Sequence, residues 1–221
     1  MNLYLKYLKT ISKSWFQYRF DAVLRSSTVF LREAAGIITI YLTLLTFDSI
    51  GGWNLYELMF LFSFLFLTYG ILVMFCTGLR DFQGIVYSGD LDRFLMRPRS
   101  VLFQVVAANA DMFAAVGHGG LGVVLLILSA NRVNIVWSAV NIFYLFVTVI
   151  SGVIIQASIF LFVAALSFWV IKTDNLLNAV FYNPRKFAGY PINIFPRWIQ
   201  DILIFVLPFA FVNYFPVQFF L

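Results

Sequence analysis

Between Ile135 and Ile171 the chain runs for 37 residues without a charged side chain. A helix that is apolar all round has no face to turn toward water, so it must be buried in protein or in lipid. A chain of 221 residues, 62% hydrophobic and 11% charged, has too little polar surface to bury such a run inside a soluble domain. The hydrocarbon of a bilayer covers it without further cost. Trp137 and Trp169 bracket the run, and the helix between them would reach about 48 Å, close to a bilayer with its headgroups. It reads either as one tilted span or as two minimal ones turning near Ser151-Gly152; one extended span is the expectation.

The remaining segments are read against that span. Residues 3 to 24 place Tyr4, Leu8, Ile11, Trp15 and Tyr18 on one helical face and Lys6, Lys9, Lys13 and Gln17 on the other, the pattern of a helix lying in the membrane interface. Ser26 to Phe47, Leu55 to Leu79 and Val101 to Ala130 follow as three spans. After Lys172, Pro184, Pro191, Pro196 and Pro208 interrupt the apolar pattern, which predicts a broken span and then re-entrant or interfacial helices buried against protein. The expected fold is all-α and polytopic. An N-terminal amphipathic helix over residues 1–25 precedes a transmembrane domain over 26–221 with five to six transmembrane helices in all.

The start, "MNLYLKYLKTISKSW", lacks the apolar core and small-residue cleavage site of a signal peptide, so the N-terminus is expected to be retained. With the N-terminus in the cytoplasm, ten Lys and Arg fall inside and four outside, among them Arg185 and Lys186. A cell-membrane protein with a cytoplasmic N-terminus is therefore expected. The net charge of +5 is assigned to topology and to lipid headgroups, not to nucleic acid. Cys76, the single cysteine, has no partner within the chain and reads as packing.

On that topology the stretch between the second and third spans, residues 80–100, faces the cytoplasm. It contains "SGDLDRFLMRP", Ser88 to Pro98, with four charges in eleven positions. Gly84 and Gly89 allow turns, Asp90 is a candidate N-cap, Leu91, Phe94 and Leu95 make an apolar face, and Arg97-Pro98 ends the turn. A solvated loop would explain the arginines. A short amphipathic helix at the membrane edge explains the apolar residues as well.

This segment, preceded by an amphipathic helix and a two-span hairpin, resembles the coupling region of ABC-2 type permeases, the membrane subunits of ATP-binding cassette exporters. The later "YPINIFPRWIQDILIFVLPFAFVNYFP" resembles the same family. The resemblance implies a six-span half-transporter whose coupling helix seats on a separate ATPase. Gly89, Asp90, Leu91, Asp92, Leu95, Arg97 and Pro98 match the coupling segment, within a stretch from Asp81 and Phe82 through Phe94 to Pro98 expected to carry ATPase coupling. Residues from Tyr190 to Pro216 match extracellular re-entrant helices. The resemblance also implies a homodimer or a sister permease, with the permease interface as the substrate path. Family members usually continue past "NYFP" into a last span and a basic tail, whereas this chain stops at Leu221, so that span is expected to be missing.

No Gly-Lys dipeptide occurs, so the chain has no P-loop. It is not expected to be an enzyme or to hold a cofactor; ATP and Mg would bind the partner ATPase. "VGHGGLG", residues 116 to 122, lies within a span and reads as a surface for close helix packing together with Ala110, Ala114 and Ala115.

Four ionisable residues sit at membrane depth. Arg32 and Glu33 are adjacent on a helix and are not expected to face each other; Arg32 would snorkel to the inner surface while Glu33 finds a partner on another helix, or both would line a transport path. Asp111 and His118 share a helical face, either as a polar pair on the substrate route or as an interfacial Asp and a His satisfied by a neighbouring helix. No metal-ligand cluster or Ser-His-Asp arrangement is evident. An ion-gradient-driven transporter or channel is the alternative function and would lean on Glu33, Asp111 and His118.

Overall fold

In a computed structural model that describes residues 19–170 and 174–221, every regular element is helical; an isolated bridge between Ile50 and Trp53 closes the first loop. Residues 3 to 18 of the expected amphipathic helix lie outside the described residues. Helix α1 (Arg19–Leu44) runs without interruption across the expected boundary at residue 25. Next come α2 (Leu55–Arg80), two short helices α3 (Phe82–Tyr87) and α4 (Asp90–Leu95), and α5 (Val101–Ala108). The long helices α6 (Met112–Arg132) and α7 (Ala139–Leu166) follow.

Four helices among the described residues are long and apolar enough to cross a membrane, and a bent pair nearer the C-terminus would make a fifth span. The chain is thus an all-α polytopic membrane protein. The 37-residue run forms one helix, α7, of 28 residues, started by the Ser138 side chain accepting from the Asn141 N–H and unbroken at Ser151-Gly152. The expected third span is divided. Asn109 is extended, Asp111 accepts from the Ala114 N–H at 3.0 Å, and its own N–H donates to the Val73 carbonyl, so α6 begins at Met112. A polar cap with a tertiary partner outcompetes continuation of the helix there.

Helix α2 is the centre of the molecule. A capping box opens it: Asn54 accepts from the N–H groups of Tyr56 and Glu57, while its own N–H donates to Glu57 Oε2 at 2.8 Å. Phe60, Leu61, Phe64, Leu65 and Leu72 are buried along its length. Helices α6, α7 and α5 pack on it, and α1 packs mainly on α6. The outward faces of α1 and α7 expose Leu31, Ile38, Phe143, Phe146 and Phe162, as a lipid-bathed bundle requires.

Glycines set the approach of α6. A Cβ on Gly70 would lie 2.6 Å from the Gly119 nitrogen, one on Gly122 would lie 2.6 Å from the Leu67 nitrogen, and one on Gly117 would lie 2.8 Å from the Ser26 carbonyl oxygen on α1. The "VGHGGLG" stretch is therefore a two-sided packing surface. Between α2 and α7, Gln156 donates to Thr68 Oγ1 at 2.8 Å with both side chains fully buried.

The C-terminal part is broken, as the prolines predict. Helix α8 (Asp174–Leu177) passes through a π segment, Asn178–Tyr182, into α9 (Asn183–Ala188). Helix α10 (Arg197–Asp201) continues as a second π segment, Ile202–Val206, and the chain then turns by 74° into Phe209–Phe220, whose last part is α11 (Tyr214–Phe220). Asn193 donates to the Gly51 carbonyl, Tyr214 stacks on Trp53, and Asn213 donates to the Ala188 carbonyl at 2.6 Å. These contacts hold the bent pair at the end of the bundle where α2 starts. The segment from Asp81 to Asn109 lies at the end where α2 stops.

Because backbone lies directly against Gly70 and Gly122, Gly70→Ala and Gly122→Ala should each destabilise the detergent-solubilised protein by about 1–3 kcal/mol. Gly120→Ala, with open space around its Cβ, should leave the thermal midpoint unchanged. Equal midpoints for all three variants would show that the glycines do not set the helix approach.

Candidate functional site

The expected coupling segment folds as two short helices, not one. Gly84 does not turn the chain but lies inside α3. Gly89 turns it: its φ of +77° falls in the left-handed region, and it, not Asp90, occupies the N-cap of α4. Asp90 is the first residue of that helix. Ser88 Oγ and Arg93 Nη1 each donate to its carboxylate at 2.9 Å, and these contacts, Ser88 first, hold the Asp90 carboxyl below the usual carboxylate range. Asp92 adds a second negative charge to the same first turn.

The apolar face is split. Leu91 and Phe94 pack against the core, and Gln104 on α5 donates to the carbonyls of Phe94 and Arg99, fixing the exit. Leu95 stays 61% exposed, Met96 79%, and Tyr87, the last residue of α3, 82%. On so short a helix Leu91 and Leu95 are neighbours by spacing, and only the docking of Phe94 decides which faces inward. The Arg97 guanidinium stacks over Phe94, and Pro98 follows in the exposed exit.

Asp81 and Phe82 join the segment to the bundle. Arg80 Nε donates to Asp81 at 2.7 Å, Asn109 reaches the same carboxylate at 3.4 Å, and Phe82 is buried edge-on against Phe168.

The four intramembrane polar residues come together in one place. Arg32, Glu33, Asp111 and His118 all line a cavity of about 600 Å³ between α1, α2, α6 and the α8–α9 stretch. Their pairing differs from expectation at Arg32 and at Asp111, while Glu33 does meet a group on another helix. Arg32 Nη2 donates to Glu33 at 2.9 Å, because a long guanidinium arm can fold back along the helix where two shorter side chains would diverge. Glu33 also lies 3.7 Å from His118 Nδ1, across helices, and His118 is edge-on to Tyr69 at 4.7 Å. Asp111 is the cap of α6 and does not pair with His118.

Arg80, Tyr69, Tyr182, Arg185 and Lys186 complete the lining and were not legible as site residues. Arg185 and Lys186 were expected on the outer side, in the broken region; the structure puts Arg185 inside the bundle, its guanidinium 4.3 Å from the centre of the Tyr69 ring and 5.6 Å from that of Phe66. The available signal was the spacing of Tyr182 and Arg185, three apart on one helical face.

Among the described residues no group of three His, Cys, Asp or Glu side chains could hold a metal ion.

No curated protein and no solved structure matches this chain. Residues 30–221, most of the chain, match a family of membrane proteins described as ABC-2 family transporter protein. With its helical, multi-pass bundle, the chain therefore belongs to the ABC-2 family as a membrane permease of the ABC type.

Proposed function

We propose that this permease is the membrane subunit of an exporter, acting as a homodimer or with a sister permease, and that residues 81–98 couple it to separate ATPase subunits. One observation carries the reading: α4 is anchored through Leu91 and Phe94 while Leu95 and the following Met96 stand exposed on the same short segment as the charged Asp90 and Asp92. A loop serving topology alone has no need of an anchored helix with an uncovered apolar edge, whereas a partner protein has use for both. ATP and Mg²⁺ would be bound by that partner. Closure of the ATPases would push on α4, and Gln104 together with the Arg80–Asp81–Asn109 contacts would pass the displacement to α5 and α2. The excess of Lys and Arg at this end supports a cytoplasmic location, with the N-terminus on the same side of a cell membrane.

Affinity purification of the chain from its own membranes in mild detergent should bring down a stoichiometric ATPase with measurable ATP hydrolysis. A chain that purifies alone and still transports would favour the gradient-driven alternative.

Within that complex, Leu95→Asp and Met96→Asp should release the ATPase by tenfold or more, on the order of 1.4 kcal/mol, without altering the thermal midpoint of the isolated permease. Leu91→Asp should lower that midpoint, because its side chain packs on the core. Retention of the ATPase by both exposed-site variants would remove α4 from the docking surface.

A further inference from the structure

We propose that the intramembrane cavity is a binding site for a phosphate-type oxyanion, presented as the headgroup of a lipid-like molecule. The cavity lies beside α2 between Arg80, at the end that carries the coupling segment, and Tyr69, about 16 Å away by helix rise and near mid-bundle. Four cations and two carboxylates line it. Arg32 is paired with Glu33, Arg80 is paired with Asp81, and Asp111 is engaged at the start of α6. Lys186 has no ion pair among the described residues but is exposed to solvent, whereas Arg185 is not so placed. It forms no ion pair with the described residues, and its Nε and Nη2 are sealed from solvent with no hydrogen-bond acceptor among them.

A guanidinium held by Tyr69 and Phe66 with two donors unused is an arrangement that an oxyanion completes, since two N–H groups match two oxygens of a phosphate. Leaving such donors unmet at membrane depth is costly, so their retention points to a ligand. Lys186, next in sequence and exposed, adds charge on the same lining.

The second independent feature is lateral. A further cavity of about 330 Å³ shares Val29, Asp111 and Ala114 with the first and is lined on α1 by Leu24, Arg25 and Thr28, all exposed on the surface of the bundle. A polar chamber joined to a mostly apolar side cleft suits a molecule with an anionic head and a hydrocarbon tail, which would slide in from the bilayer with its tail still in lipid.

That this ligand is the cargo rests on the permease reading; the binding site does not. It is therefore tested on the full chain without any ATPase. The chain in neutral detergent would be titrated with dihexanoyl phosphatidate, with dihexanoyl phosphatidylcholine and with inorganic phosphate, and adducts followed by native mass spectrometry. Saturable phosphatidate binding at least tenfold tighter than phosphatidylcholine is expected, weakened about tenfold or more by Arg185→Gln and a few-fold by Lys186→Gln. Glu33→Gln, which removes negative charge from the lining, should tighten it. A purely structural role for these residues would weaken binding in every variant, so loss in Glu33→Gln equal to that in Arg185→Gln overturns the proposal, as does phosphatidate binding indifferent to both. Phosphate binding as tightly as phosphatidate with the same dependence on Arg185 would keep the oxyanion site and overturn the lipid-like ligand. If Arg185→Gln does not yield monodisperse protein, the opposite signs expected for Lys186→Gln and Glu33→Gln decide the matter. None of these results depends on whether an ATPase is captured.

Discussion

The close passage of α6 against α2 is the contact on which the other features depend. In lipid there is no hydrophobic gain from bringing two apolar helices together, so association rests on packing and on the few polar contacts that cross between helices. Gly70, Gly119 and Gly122 allow backbone to meet backbone, and Gly117 opens the opposite face of α6 to α1. That approach sets His118 against Tyr69 and within reach of Glu33, and brings the Asp111 N–H to the Val73 carbonyl. The polar cavity lies alongside this contact, with Tyr69, His118, Glu33 and Asp111 on its lining.

The two ends of the bundle are built differently for physical reasons. At the start of α2 the loop from Asp48 to Trp53 is covered by the bent C-terminal pair, whose 74° turn at Leu207-Pro208 is tolerated because the Leu207 N–H donates to the Ile202 carbonyl and the Phe211 N–H to the Pro208 carbonyl, while Tyr214 stacks on Trp53. At the other end α3 and α4 sit on the bundle through Phe82, Leu91 and Phe94 and leave an uncovered edge. One end is closed by its own chain, and the other presents a surface.

Much of the site was legible piecewise. Arg32, Glu33, Asp111 and His118 stood out because ionisable groups at membrane depth are rare and expensive. Their assembly into one cavity was not legible, since it depends on which faces of three helices meet. The spacing rule that separates adjacent residues failed for Arg32 and Glu33 because it describes Cβ directions and not the reach of a guanidinium. Arg185 was missed because the proline-rich stretch reads as a broken span with its basic residues on the far side, whereas Pro184 is accommodated where the π segment passes into α9. The charged segment over residues 81–98 does lie between two membrane-length helices, but its division at Gly89 and the burial of Leu91 rather than Leu95 follow from tertiary docking.

The sequence by itself determined that this chain is a helical bundle in a membrane. Uncharged runs longer than a bilayer is thick leave the backbone no other way to satisfy its hydrogen bonds. It also determined the breaks at the cluster of four charges and around Pro191, Pro196 and Pro208, because neither continues an apolar helix. Only the tertiary structure decided where the third span begins, which carboxylate each cation meets, and that Arg185 turns inward with two donors unmet. Those outcomes are set by helix rotation and depth, and a one-dimensional pattern of hydropathy carries neither.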